Sequence, residues 1–212
     1  MTTLSATASQ APSIRTMSGA TAINQLTANE TALIVIDIQN EYFDGKMPIA
    51  DGMKVLTQSR KLVDFAHAHA MPVFFVRHEG PADGPLFAKD HFLSEFHPEL
   101  LPVEGDITIT KPTPSSFVGT DLDAQLKAKG IKTLIVCGLM THMCVSSTAR
   151  DAVPLGYEVI IPQDATATRS LATWDNNVVD SKDLQRAALA AVADVFAEIK
   201  TTQQVLDLPV SR

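Results

Sequence analysis

A mostly parallel β-sheet covered by helices on both faces is the architecture this sequence predicts, and three features point to it. The strand candidates are apolar on both sides, as strands buried on both faces must be. They alternate with segments whose apolar residues recur at helical spacing. A chain of 212 residues also falls within the range of one α/β domain. Sheets of this kind form their sites at the carboxyl ends of strands, so the residues that close each strand are where chemistry is sought.

Residues 1–28 are rich in Ser, Thr and Ala, hold Arg15 as their basic residue, and precede the first acidic residue, Glu30. One arginine is too little for an organellar presequence. The segment reads as a flexible or oligomer-contacting N-terminal arm, followed by one domain over residues 29–212. Ala32–Ile36 is a near-continuous apolar, β-branched run and predicts the first strand. Gly52–Ala70 sets Val55, Leu56, Leu62, Val63 and Phe65 at helical spacing.

Val73–Val76 and Ile107–Thr110 predict two further buried strands. The Pro- and Gly-containing stretch between them, with Phe87, Phe92 and Phe96, predicts an extended loop of the length that usually serves a site. Thr120 can cap a helix running to Lys129, with Gly130 in the left-handed position that ends it. The strand Thr133–Leu139 follows, then a helix from about His142 to Leu155 closed by Gly156, a strand Tyr157–Pro162, a helix near Ser181–Ala193 and a strand near Val195–Lys200.

Composition limits the function. Hydrophobic residues make up 45% and charged residues 19%, enough for a continuous core. A net charge of -7 with no Lys/Arg block lacks the electrostatic attraction that holds proteins to phosphate backbones, so no nucleic-acid partner is expected. No stretch reaches the roughly 20 apolar residues of a membrane span. Two cysteines, Cys137 and Cys144, are too few for a disulfide framework, which suits a reducing, cytoplasmic setting.

Three residues close strands or follow them: Asp37, Lys111 and Cys144. Singly, each has an ordinary reading. Asp37 can cap a turn, Lys111 can be a solvated strand-end lysine, and a cysteine is commonly a small buried hydrophobe, which describes Cys137 inside its strand. Cys144 differs because it sits in a turn between a strand and a helix, where unpaired amides favour thiolate. If the strand ends converge, Lys111 lowers the thiol pKa while Asp37 takes its proton and later returns it to a leaving amine. The backbone amides of Met140 and Cys144 can form an oxyanion hole in that turn. Closeness to these motifs makes Gln39, Phe43, His78, Phe117, Thr141, His142 and Trp174 substrate-binding candidates. His67 and His69 point to different faces of a helix, and His91 and His97 lie in the long loop, so packed or solvated roles suit all four.

Leu33–Asn40, Lys111–Phe117 and the turn to Cys144 resemble the isochorismatase-like cysteine hydrolases, as do Cys144–Ala152, Gly156-Tyr157 and Asp164-Ala165. The resemblance covers roughly residues 30–200 and places the chain beside the amidohydrolase branch. It implies a Rossmann-like three-layer α/β/α sandwich with a mostly parallel sheet of about six strands. It further implies a thioester formed on the cysteine, a homo-oligomer (dimer or tetramer), and a non-proline cis peptide beside the oxyanion hole, here Leu139–Met140. Members similar to nicotinamidases carry a metal cluster begun by an Asp-x-His pair; this chain reads Asp51-Gly52-Met53, so no metal and no cofactor are expected. The expected function is hydrolysis of a C–N bond in a small amide, carbamoyl or ureido substrate. Two alternatives stay open: vinyl-ether hydrolysis with Asp37 as proton donor, and a non-catalytic or redox thiol protein on the same fold.

Overall fold

The computed structural model describes residues 11–212. In chain order they form α1 (Ile14–Met17), β1 (Leu26–Thr27), β2 (Thr31–Ile36), α2 (Gly52–Ala68), β3 (Val73–His78), β4 (Ile107–Lys111), α3 (Leu122–Ala128) and β5 (Thr133–Leu139). A π-helical turn, Thr141–Val145, leads into α4 (Ser146–Ala152). Then come β6 (Glu158–Pro162), β7 (Thr166–Ala167), β8 (Leu171–Ala172), β9 (Val178–Val179), α5 (Ser181–Ala193), β10 (Glu198–Lys200), α6 (Thr202–Leu206) and β11 (Val210–Ser211).

The central sheet runs β10-β6-β5-β2-β3-β4, with β7 pairing the end of β5, and every pairing is parallel. From β2 the chain builds outward through β3 and β4, then returns to the other side of β2 to add β5, β6 and β10. The order therefore reverses between β2 and β5, the place where open α/β sheets form a crevice.

Alternation along the strands feeds two cores. Leu33, Val35, Val73, Phe75, Ile135 and Cys137 pack against Val55, Leu56 and Leu62 of α2 and Val205 of α6. Ile34, Ile36, Phe74, Val76, Leu134 and Val136 face Leu122 and Leu126 of α3, Ala149 of α4, and Leu189 and Val192 of α5. Successive side chains of a strand point to opposite faces, so one unbroken apolar run supplies both layers. Each large aliphatic side chain buried this way contributes about 1.5–3 kcal/mol.

Several boundaries differ from expectation. β4 ends at Lys111 rather than Thr110, which puts Lys111 in the ladder opposite His78 of β3. The expected continuous helix after His142 begins instead as the π turn. Val195 lies outside β10, because Phe196 N–H bonds back to Val192 and closes α5. The helix α6 carries a capping box between Thr201 and Gln204.

The arm expected to be flexible or oligomer-contacting meets the domain at a few points over its described part, while most of residues 11–22 are exposed. Ile14 N–H donates to Asp194 Oδ1 at 2.8 Å, Ile23 N–H to Glu198 Oε2 at 2.7 Å, and β1 pairs with β11. Ile23 and Leu26 are buried. Two isolated apolar anchors have no period to read, which is why the sequence shows no sign of the docking. The rest of the arm, residues 1–10, lies outside the described residues.

Candidate active site

β2 and β5 approach so closely at their carboxyl ends that only glycine fits at position 138. A Cβ there would stand 1.9 Å from the Ile36 carbonyl oxygen, and the backbone has φ +116°. Asp37 follows directly, at φ +51°, with its N–H bonded to Val76 O at 2.8 Å. On the neighbouring strand, a cis peptide joins Leu139 to Met140 at the entry to the turn that carries Cys144. Lys111 arrives from β4, two strands away, and its long unbranched stem spans the gap.

Lys111 Nζ lies 2.8 Å from Asp37 Oδ2, 3.4 Å from Cys144 Sγ and 3.2 Å from the Thr113 carbonyl oxygen. Asp37 and Lys111 are wholly buried and Cys144 is 5% exposed. Oδ2 of Asp37 is engaged in that ion pair, while Oδ1 has no hydrogen-bond partner among the described residues. Free lone pairs at this depth can accept a proton or a substrate N–H.

Burial alone would lower the Lys111 pKa, but the charges of Asp37 and Cys144 outweigh it and hold the ammonium above its usual range. The Cys144 thiol is pushed up, first by burial and then by Asp37, against the pull of Lys111. This corrects the expectation of a resting thiolate. The sulfur is packed among apolar side chains, and the Lys111 charge is already engaged by Asp37. The site therefore sets the Lys111 ammonium between the Asp37 carboxyl and a neutral thiol.

The Met140 carbonyl closes the turn by accepting from Met143 N–H at 3.1 Å and Val145 N–H at 3.2 Å. Among the described residues, neither the Met140 nor the Cys144 amide donates to a carbonyl outside the turn. Thr141 is buried beside them with its hydroxyl oxygen unpartnered. His142 Nδ1 hydrogen-bonds the Thr168 hydroxyl, and burial, then Arg169, lowers its pKa. His78, half-buried, is lowered likewise by burial and then by Lys111.

The other expected pocket residues lie differently. Gln39 is buried as a clamp: its Nε2 donates to the His78 and Ser94 carbonyls at 2.8 and 2.6 Å, and its Oε1 accepts from His78 N–H at 2.8 Å. Phe43 packs on the His97 ring with centroids 4.3 Å apart, and Phe117 stacks on Tyr157 at 5.9 Å. Trp174, in the turn between β8 and β9, is 95% exposed. His91 and His97 accept backbone N–H groups, and His67 pairs with Asp106.

Two neighbours of the site escaped the sequence reading. Tyr42 is buried, and its phenol is pushed well up by burial and then by Asp37 and Cys144, with Arg169 opposing. Arg169 makes no ion pair among the described residues, and its Nε is buried without a partner. It follows β7, which pairs with Gly138 and Leu139; the motif Asp164-Ala165 marked that segment but not the arginine. A recess of about 570 Å³ lies between the first turns of α2 and α5 and reaches the edge of the site through Thr166, Ala167 and Thr168, but none of Asp37, Lys111 and Cys144 lines it. The buried charges, rather than that recess, make Asp37, Lys111 and Cys144 the candidate site.

The family model described as Isochorismatase domain matches residues 31–204. The chain belongs to the isochorismatase family. It is 39% identical over 179 residues to the family protein YddQ of Bacillus subtilis, covering 83% of this chain and 98% of that relative. The crystal structure of an isochorismatase from Pseudomonas putida matches it with a TM-score of 0.85 at 33% identity, over 91% of this chain and 98% of that one. Ureidoacrylate amidohydrolase RutB of Stutzerimonas stutzeri is 32% identical over 176 residues, 66% of this chain and 71% of the relative. Streptothricin hydrolase of Streptomyces noursei is 31% identical over 166 residues, 78% and 58% of the two. N-carbamoylsarcosine amidase from Thermoplasma acidophilum matches with a TM-score of 0.71 at 29% identity, over 82% and 96%. The protein is an isochorismatase-family hydrolase with the mostly parallel α/β fold of these neighbours.

Proposed function

We propose that the protein hydrolyses a C–N bond in a small carbamoyl, ureido or amide substrate through a thioester on Cys144. The observation that carries this reading is the buried contact of Lys111 Nζ with both Asp37 Oδ2, at 2.8 Å, and Cys144 Sγ, at 3.4 Å. The Cys144 proton passes to an unpartnered Asp37 oxygen, and Lys111 holds the thiolate as it forms. The sulfur bonds to the substrate carbonyl carbon, and the carbonyl electron pair moves to oxygen, stabilised by the Met140 and Cys144 amides. That pair returns as the C–N bond breaks, and Asp37 delivers the proton to the leaving nitrogen. Water then attacks the thioester with Asp37 as base, which releases the acid and restores the thiol.

Arg169 supports a substrate that carries a carboxylate. An unpaired guanidinium at the site edge can hold such a group bidentately, and the names of the ureidoacrylate and N-carbamoylsarcosine relatives describe ureido acids. A neutral resting thiol must stay unoxidised to act, which suits a reducing cytoplasm.

Vinyl-ether hydrolysis needs Asp37 protonated before the substrate arrives. The Lys111 ammonium, 2.8 Å from Asp37 Oδ2 and 3.4 Å from Cys144 Sγ, is instead placed to serve a nucleophilic thiol. Wild type and Cys144→Ala are to be given ureido acids, neutral amides and isochorismate, with ammonia release and intact mass recorded. The reading expects amide turnover and an acyl adduct that both vanish in the folded mutant. Isochorismate turnover that survives the mutation would move the chemistry to Asp37.

A further inference from the structure

Phe87 has a left-handed backbone, φ +49°, a conformation uncommon for a bulky residue, and yet the residue is only 6% exposed. It is held from both sides: Gly80 N–H donates to Phe87 O at 2.8 Å, and Phe87 N–H reaches Glu41 Oε2 at 3.4 Å. Gly80 itself has no room for a side chain, since a Cβ there would lie 2.9 Å from Leu86 O. Glu41 is buried and takes Lys46 N–H at 2.7 Å with its other oxygen. A costly backbone secured by this many contacts points to the ring's position as what is selected.

The ring stands edge-on to Tyr42 at 5.3 Å and to His78 at 5.1 Å. His78 is the ladder partner of Lys111, and Tyr42 closes the short turn that follows Asp37. Phe87 also lines a recess of about 360 Å³ with Glu41, Lys46, His91 and Leu93. The Phe87 ring thus touches two side chains that neighbour Lys111 and Asp37 and also lines a recess large enough for several non-hydrogen atoms.

We propose that Phe87 is a specificity-determining residue that walls the catalytic pocket off from this recess, confining substrates to those that leave a small acyl group, such as carbamoyl, on the sulfur. With the ring removed, the recess joins the pocket and bulkier acyl groups reach the sulfur.

The proposal rests on Cys144 being the atom that substrate reaches, so its test reads access to the sulfur without turnover. Wild type, Phe87→Ala and Phe87→Leu are alkylated at pH about 9 with iodoacetamide and with N-benzyl iodoacetamide, and peptide mass mapping follows Cys144. In Phe87→Ala the bulky-to-small rate ratio should rise about tenfold or more, and less in Phe87→Leu, with the iodoacetamide rate within about threefold of wild type. Adding Leu93→Trp to Phe87→Ala should refill the recess and reverse the gain. A ratio within about twofold of wild type in both variants would overturn the proposal, as would parallel acceleration by both reagents, which reports general loosening. If Phe87→Ala does not fold, Phe87→Leu decides by the same criteria. A silent amide panel with a shifted ratio would sink the hydrolytic reading and leave the wall standing.

Discussion

A methyl group on Gly138 would stand 1.9 Å from the Ile36 carbonyl oxygen, so the contact of these two residues sets how near Asp37 and Cys144 can come. The obstacle is backbone on backbone, which no rotamer change relieves, and φ +116° adds strain for any residue with a Cβ. Gly138→Ala should therefore cost more than about 3 kcal/mol, beyond the typical point mutation, and abolish activity in whatever fraction folds. Urea unfolding followed by circular dichroism measures it. A variant as stable as wild type would mean that the strand ends are further apart than this.

Lys111 and Asp37 are wholly buried and 2.8 Å apart, so their separate removal should be unequal to their joint removal. Lys111→Met strands a buried carboxylate without its cation and should cost about 3–5 kcal/mol. Asp37→Asn with Lys111→Met removes both charges at similar volume and should cost much less than the sum of the single changes. The proposed roles expect hydrolysis to be lost in all three proteins, so stability is the discriminating readout. Additive costs from denaturant unfolding would show that the two side chains are not coupled.

Much of this arrangement was legible before the fold was known, for a physical reason. β2 and β5 are buried on both faces, so their runs of apolar residues stand out, and Asp37 and Cys144 are found by what immediately follows them. Lys111 was legible as a strand end, although its register opposite His78 was not. The pairing of β1 with β11 involves two residues on each side and leaves no periodic trace. Tyr42 and Arg169 come to the site only through loop geometry, which no spacing encodes. The protonation of Cys144 depends on burial and on Asp37, both tertiary facts that no sequence spacing carries. Trp174 was singled out for its closeness in sequence to the motifs and stands almost wholly in solvent.

His78 and His142 should make the fold less stable in mild acid. Both have pKa values lowered from 6.5, by burial first and then by Lys111 for His78 and by Arg169 for His142. As pH falls through 6.5 the unfolded chain takes up protons that the folded chain refuses, so stability present above that point is lost until the folded pKa values are reached. The melting temperature should fall between pH about 7.5 and about 5.5. The His78 backbone is held by Gln39, so His78→Gln should keep the fold and reduce the decline. An unchanged pH slope in that variant would place the sensitivity elsewhere.

Arg169 should separate substrate binding from chemistry. Its guanidinium makes no ion pair among the described residues, and its charge acts on both Tyr42 and His142 beside the site. A charge-assisted contact of about 1.5–3 kcal/mol corresponds to a factor of roughly 10–100 in binding. Arg169→Gln should raise KM for a ureido acid by that factor, with little change in kcat and little effect on a neutral amide of the same size. Arg169→Lys keeps the charge without the planar fork and should recover only part of the loss. Steady-state kinetics on the matched acid and amide decide the point: equal losses on both would mean that Arg169 supports the site's structure, and the substrate's anionic group would have to be held elsewhere.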